Sequence, residues 1–164
     1  HRSVGFFSSS VPYYKFAGQK ARTMGCPEYM SKLMESLNKS FESTLNELGF
    51  KLNAILVNRY TSGEDYIGKH SDEESSLKQQ LIVAISVFKD EGGTRKFRIR
   101  RRNGDQIDGK NYKDIITKHN QMLIMSGNFQ KHFTHEIPIE KSNKKCYRIS
   151  YTIRCHSENP NDYD

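Results

Sequence analysis

His70 and Asp72 stand two residues apart, with Ser71 between them. On an extended segment that spacing turns an imidazole and a carboxylate to the same side of the chain. Together they supply two of the three ligands of a two-His-one-carboxylate site, which suits Fe(II) because three adjacent coordination positions stay open for a co-substrate and dioxygen. The spacing leaves the third ligand open among His119, His132, His135 and His156. A His-x-Asp pair taken alone also arises by chance on hydrogen-bonded surface segments. Arg148 and Arg154 form a second constellation, six residues apart on the face that Ser150 and Thr152 share. Their backbones lie about 20 Å apart on a strand, and two guanidiniums leaning inward can grip both ends of a small dicarboxylate. The alternative is a strand with arginines on its solvent face.

These groups need a scaffold of strands. Leu33, Met34, Leu37, Phe41, Leu45 and Leu48 are spaced by three and four between Pro27 and Gly49, which predicts one amphipathic helix of about five turns. The period then changes to two in a strand from Leu52 to Tyr60, and a loop holding Gly63 and Gly68 leads to the His-x-Asp pair. Leu81 to Phe88 is apolar on both faces, as in a central strand buried between layers. Phe97 to Arg101, Gln121 to Met125 and Tyr147 to Ile153 read as further strands, with turns at Asn103-Gly104-Asp105 and Ser126-Gly127-Asn128. One helix followed by closely spaced strands predicts an α+β protein, a β-sandwich or jelly roll with the N-terminal helix packed on the sheet. Residues 1–156 are expected to form a single domain, 1–50 as an N-terminal lid region and helix and 51–156 as the jelly-roll core. The polar segment 157–164 is expected to be disordered.

With 26 basic against 19 acidic residues, the 164-residue chain carries a formal charge of +7, a balance that favours a polyanionic partner. Arg95, Lys96, Arg98, Arg100, Arg101 and Arg102 cluster on one segment, and Lys141, Lys144 and Lys145 on another. Such clusters track phosphates or serve as charged edges that discourage sheet-to-sheet association. Cys26, Cys146 and Cys155 are odd in number and lack CxxC spacing, which argues against a disulfide scaffold or structural zinc and suggests an intracellular, reducing compartment. The longest apolar run is too short to span a bilayer, so no membrane partner is expected. A start at His1 rather than Met suggests a trimmed chain.

Several ordered blocks resemble the AlkB family of Fe(II) and 2-oxoglutarate-dependent dioxygenases. Asn58-Arg59-Tyr60, Gly63 and then Ile67-Gly68-Lys69-His70-Ser71-Asp72-Glu73-Glu74 are similar to its N-R-Y, G and H-x-D-(D/E)-E block. Ile85 to Phe88 with Arg95 to Arg98 resembles its next strand pair. Leu123 to Gly127, Gln130 and His135-Glu136-Ile137-Pro138 resemble its third-ligand block, and Tyr147 to Arg154 its closing R-x5-R strand. The blocks cover about Leu52 to Arg154.

The resemblance implies a double-stranded β-helix (jelly-roll) core with Fe(II) held by His70, Asp72 and His135. His135, rather than His132, precedes a hydrophobic residue and Pro as in the family. It implies 2-oxoglutarate held by Asn58, Tyr60, Arg148 and Arg154, with Ser150 and Thr152 on the same face. Arg148 would work with Tyr60 at the distal carboxylate, and Arg154 with Asn58 near the metal end. Ser150 departs from the Asn common in well-known members. Glu74 matches a base-reading position, its other reading being an exposed acidic loop residue. Arg95, Lys96, Arg98 and Arg100 become phosphate contacts. Phe6, Phe7, Tyr13, Tyr14 and Phe16 become stacking groups for a base or core packing under a loop. The implied activity, one of DNA or RNA repair, is oxidative demethylation of N-alkylated bases of the 1-methyladenine and 3-methylcytosine type. It consumes O2 and 2-oxoglutarate and releases formaldehyde, succinate and CO2, on single-stranded nucleic acid by preference, with the enzyme a monomer. The residues leave two other readings open: the same chemistry on a peptide or small molecule, and a non-catalytic nucleic-acid-binding module.

Overall fold

A computed structural model of the chain describes residues 2–16, 19–73 and 77–163. The N-terminal region contains β1 (Ser3–Phe7), β2 (Tyr13–Phe16), β3 (Gln19–Arg22), α1 (Glu28–Ser40) and α2 (Glu42–Leu48). It is followed by β4 (Ala54–Tyr60), β5 (Ile67–His70), β6 (Leu77–Phe88), β7 (Thr94–Arg101), β8 (Lys113–Lys118) and β9 (Gln121–Ser126). A single-turn α3 (Phe129–His132), β10 (Phe133–Ile137), β11 (Arg148–His156) and a 3-10 turn at Pro160–Tyr163 complete the order. Among the described residues no helix is long and apolar enough to cross a membrane.

The strands form a five-stranded sheet ordered β1-β4-β11-β6-β9, a four-stranded sheet ordered β5-β10-β7-β8 and a β2-β3 hairpin. All pairings within these sheets are antiparallel. This is the expected α+β jelly-roll sandwich. Alternation gives the large sheet two different faces. Ile55 on β4, Leu81 and Val83 on β6 and Ile153 on β11 turn outward to meet Met30, Met34 and Leu37 of α1 and Leu45 of α2. Tyr60 and Ile82 turn inward to join Phe97 and Ile137 of the smaller sheet, so β6 is apolar on both faces because it is covered on both.

The single predicted helix is two. Phe41 leaves helical geometry at φ −106°, ψ 19°, closing α1 and opening α2. Just before it, the Ser40 hydroxyl donates to the Ser36 carbonyl, a back-bond that bends helices. Asn38 exchanges two hydrogen bonds with the Leu52 backbone, both at 2.9 Å, and so ties α1 to the entry of β4. Gly49, at φ 72°, supplies the left-handed residue that ends α2.

One further expectation differs from the structure. The segment expected to be disordered carries the turn at Pro160–Tyr163, and Tyr163 is buried with Phe6, Val11, Ala54 and Leu56. Its hydroxyl donates to the Ser157 carbonyl at 2.7 Å. A polar composition does not register one aromatic anchor, which is enough to order so short a tail. Of the N-terminal aromatics, Phe6 takes the core-packing alternative, stacking on Tyr14 at 4.5 Å between ring centres and meeting His156 edge-on at 5.1 Å, while Phe7, Tyr13 and Tyr14 are partly buried. The side chain of Phe16 lies outside the described residues.

Candidate metal and co-substrate site

In the smaller sheet β5 and β10 are neighbours, and His70 stands directly opposite His135. The pairing then slips, since Ile137 pairs with Ile67, so β5 carries one extra residue in a bulge, a device that re-aims side chains next to functional sites. Asp72 follows just past the end of β5. One donor atom from each of His70, Asp72 and His135 lies within 4.8 Å of the others. His70 Nε2 is 3.7 Å from Asp72 Oδ1, and His135 Nε2 is 3.8 Å from Asp72 Oδ2.

The protonation states suit a cation. His70 Nδ1 lies 2.8 Å from the Gly68 carbonyl; a carbonyl only accepts, so Nδ1 carries the proton and Nε2 presents its lone pair. Burial lowers the His135 pKa to about 4, which keeps its imidazole neutral. Burial alone would raise the pKa of Asp72, yet Arg154, His135 and His70 hold it below the ordinary carboxylate value. Arg154 Nη2 donates to Asp72 Oδ2 at 3.1 Å. A carboxylate beside imidazole lone pairs is the donor set and charge state that Fe(II) takes. Among the described residues His119 binds the Phe88 backbone, His132 is exposed, and His156 packs against Phe6 and Tyr14, so geometry selects His135 as the third member.

Beside the triad, between the two sheets, lies a narrow cavity of about 50 Å³. Its wall contains all the residues expected to hold a co-substrate: Asn58, Tyr60, Arg148, Ser150, Thr152 and Arg154. Register explains the grouping. Ser150 pairs with Asn58 on one side and Ser86 on the other, and Arg148 pairs with Tyr60 and Phe88. Arg148 is 3 % exposed. Its Nε and Nη2 donate to Ser86 Oγ at 3.0 and 2.9 Å, and Nη2 to Ser150 Oγ at 3.2 Å. Its guanidinium carbon lies 5.4 Å from the Tyr60 ring centre. Burial raises the Tyr60 pKa against the pull of Arg148, so the phenol keeps its proton. Asn58 and Arg154 both line the cavity but have different partners. Its Oδ1 accepts from Arg2 Nε at 2.9 Å, while Arg154 stands opposite Ala54 and turns to Asp72.

The basic run on β7 divides by strand parity. Arg95 shares the inward face with Phe97 and is fully buried. It donates to the carbonyls of Ser62, Asp65 and Pro138 and pairs with Glu140 at 3.2 Å, so the expected phosphate contact is a structural cation. Arg98 and Arg100 point outward but are matched across the sheet. Arg98 is bidentate with Asp114 at 2.7 and 2.9 Å and lies over the Tyr112 ring, and Arg100 pairs with Glu136 at 2.7 Å. Lys96 is half-exposed, with Nζ 3.9 Å from Glu140. Glu74 lies outside the described residues. At the end of β7 the cations gather in a notch lined by Arg101, Arg102, Asn103, Lys131 and His132.

Three residues at the site were not singled out from the sequence. Ser86 is the one polar interruption of an apolar run, and that interruption is its signal. Gln130 falls within a quoted block without a role attached to it. Arg2 lies far from every motif and has no local signal.

Residues 12–154 match the family model described as the 2OG-Fe(II) oxygenase superfamily. The chain is 32 % identical over 133 residues to the alpha-ketoglutarate-dependent dioxygenase alkB homolog 3 of Bos taurus, covering 78 % of this chain and 43 % of that protein. It is 28 % identical over 109 residues to the DNA oxidative demethylase ALKBH2 of Bos taurus, covering 65 % and 38 % respectively. The chain therefore spans about four tenths of the length of these curated relatives. A solved structure of an oxidoreductase of the 2OG-Fe(II) oxygenase family from Burkholderia pseudomallei superposes with a TM-score of 0.59 at 12 % identity, over 96 % of this chain and 67 % of that one.

Proposed function

Since the chain belongs to the 2OG-Fe(II) oxygenase superfamily, on its AlkB branch, we propose that it is an Fe(II)- and 2-oxoglutarate-dependent dioxygenase that oxidatively demethylates N-alkylated bases in nucleic acid. One observation carries this reading above the rest. Arg148 is buried in the cavity, and among the described residues its partners there are hydroxyls and a phenol rather than a carboxylate. A buried guanidinium without a counter-ion is costly, and a carboxylate of a bound co-substrate supplies one.

The roles follow from placement. His70 and His135 offer imidazole nitrogens and Asp72 a carboxylate to the metal. Arg148 and the Tyr60 hydroxyl hold the distal carboxylate of 2-oxoglutarate, with Ser86 and Ser150 fixing the guanidinium. Arg154 keeps Asp72 ionised. Arg2 can only donate, so the Asn58 amide turns its oxygen to Arg2 and leaves its NH2 for an acceptor in the cavity. Apolar side chains including Ile67, Phe97, Met125 and Ile137 line other parts of the wall and exclude water. When bound, the iron and 2-oxoglutarate supply an oxidant from O2 that hydroxylates the N-methyl carbon, yielding succinate, CO2 and, from the unstable hydroxymethyl, formaldehyde.

A target base must leave its stack to enter such a cavity, so single-stranded substrate is part of the proposal, as is a monomeric enzyme. Arg101, Lys131 and His132 at the notch are exposed cationic or titratable groups near the metal loop and suit a phosphodiester backbone. The test is anaerobic loading with Fe(II) and 2-oxoglutarate, then air and matched RNA and DNA oligonucleotides carrying 1-methyladenine or 3-methylcytosine, followed by mass spectrometry. Loss of one methyl with succinate formation is expected. Succinate without methyl loss would move the substrate to a peptide or small molecule, and neither product would leave a binding module.

A further inference from the structure

His70 and His135 sit on paired strands, but Asp72 sits in a loop, and a ligand on a loop needs something to hold it. We infer that Gln130 is a positioning residue that locks the Asp72 loop for the metal, an inference that rests on the proposed reading of the triad. Gln130 is 1 % exposed on the single turn of α3. A glutamine amide so deeply buried is unfavourable unless its polar atoms are matched. Its Oε1 accepts the Asp72 backbone N–H at 2.9 Å. That N–H can only donate, so the atom facing it is oxygen however the amide is drawn. Nε2 is left against Met125 Sδ at 3.5 Å, a weak acceptor, which makes the Asp72 bond the principal one for this side chain.

Arg102 completes the device from the other side. Its Nη1 donates to the Gln130 carbonyl at 3.1 Å, pairs with the Glu73 carboxylate and approaches Ser71 Oγ at 3.5 Å. Its backbone N–H donates to the His132 carbonyl at 2.9 Å. Ser71, Asp72 and Glu73 are thus held at three successive residues by groups from α3 and the end of β7. The chain leaving α3 runs directly into β10 and His135. Gln130 therefore sets the loop ligand relative to a strand ligand remote in sequence, and does so without touching the metal.

Residues that orient metal ligands in this way change metal affinity by about 10–100-fold when replaced. The experiment is titration with Co(II) as the probe metal, read by its visible absorption, on the wild type, Gln130→Leu, Gln130→Glu and Arg102→Met, with thermal melting of each metal-free protein. Leu keeps the bulk without an acceptor, whereas Glu keeps an oxygen for the Asp72 N–H. Gln130→Leu is expected to weaken Co(II) binding by about 10–100-fold, Gln130→Glu to bind as the wild type does, and Arg102→Met to show a smaller loss. Wild-type affinity in Gln130→Leu would overturn the inference, and so would equal losses in the Leu and Glu variants, which would assign Gln130 to packing alone. If Gln130→Leu does not fold, Arg102→Met decides, and unchanged affinity there overturns the clamp. No Co(II) binding by the wild type would instead overturn the reading of the triad, and the clamp with it.

Discussion

Arg95 and Arg101 belong to one basic run, and the structure gives them opposite fates. Replacing Arg95 with Gln removes a buried guanidinium that serves the carbonyls of Ser62, Asp65 and Pro138 and the carboxylate of Glu140. Taking one partner from a buried pair destabilises by about 3–5 kcal/mol, because the other charge stays behind uncompensated. For a domain of this size each kcal/mol moves Tm by about 2–4 °C, so the fall in Tm is roughly 6–20 °C. Arg101 is exposed, and Arg101→Gln should change stability by no more than about 0.5 kcal/mol. Its effect should appear in oligonucleotide binding, where losing one phosphate contact lowers the slope of log K against log salt by about 0.7 on a single strand. Calorimetry of both variants, with binding titrations at several salt concentrations, separates the roles. An Arg95→Gln protein that melts with the wild type, or that loses salt dependence as Arg101→Gln should, would refute the assignment of Arg95 to the core.

Three other outcomes are expected. His135→Ala should abolish Fe(II) or Co(II) binding, whereas His132→Ala should leave it intact, as a metal titration would show; the reverse would put the third ligand in α3. The pKa values of His135 and His156 are depressed by burial to about 4 and about 3, below an unfolded value of about 6.5. Both stay neutral in the fold while the unfolded chain takes up protons, so the metal-free protein should lose stability as pH falls below about 6.5, by about 1.4 kcal/mol per pH unit for each group, until the folded values are reached. His156→Phe should roughly halve that slope in urea melts run between pH 7 and 4.5, and an unchanged slope would count against a neutral His156. Tyr163→Ala should cost about 3–5 kcal/mol as a buried aromatic is lost, whereas a disordered tail would give no change in Tm.

The parts of the site legible in the sequence are those written at short range. The six-residue step from Arg148 to Arg154 depends on strand alternation and both ends stand on β11 facing the cavity, whereas His70-Ser71-Asp72 is legible as a local spacing although β5 ends at His70 and Asp72 reaches its neighbour from a loop. The third ligand was not legible from spacing, because the rung joining His135 to His70 is a long-range pairing that four histidines could satisfy on paper. Arg95 was misread because a count of charges ignores parity, although Phe97 and Ile99 share its face and show which way it turns. The helix break at Phe41 was hidden by an apolar stripe that continues across it, since both segments dock on the same sheet. β1, β8 and β10 lack a strong alternating pattern of their own, and their pairing is decided by neighbours.

The rung between His70 and His135 joins parts of the chain that are far apart in sequence and are linked through the exposed turn at Asn103 to Gln106. Exposed loop tips of this kind tolerate being opened. A chain cut there would fall into one fragment bearing His70 and Asp72 and another bearing His135, with six ladders to be rebuilt across the cut: β5 with β10, β7 with β10 and β8, β6 with β9 and β11, and β4 with β11. Neither fragment alone would hold three ligands. Divalent metal, bound only by the reassembled pair, would add to what the six ladders and the shared core hold together, so reassembly would tighten as free metal rises.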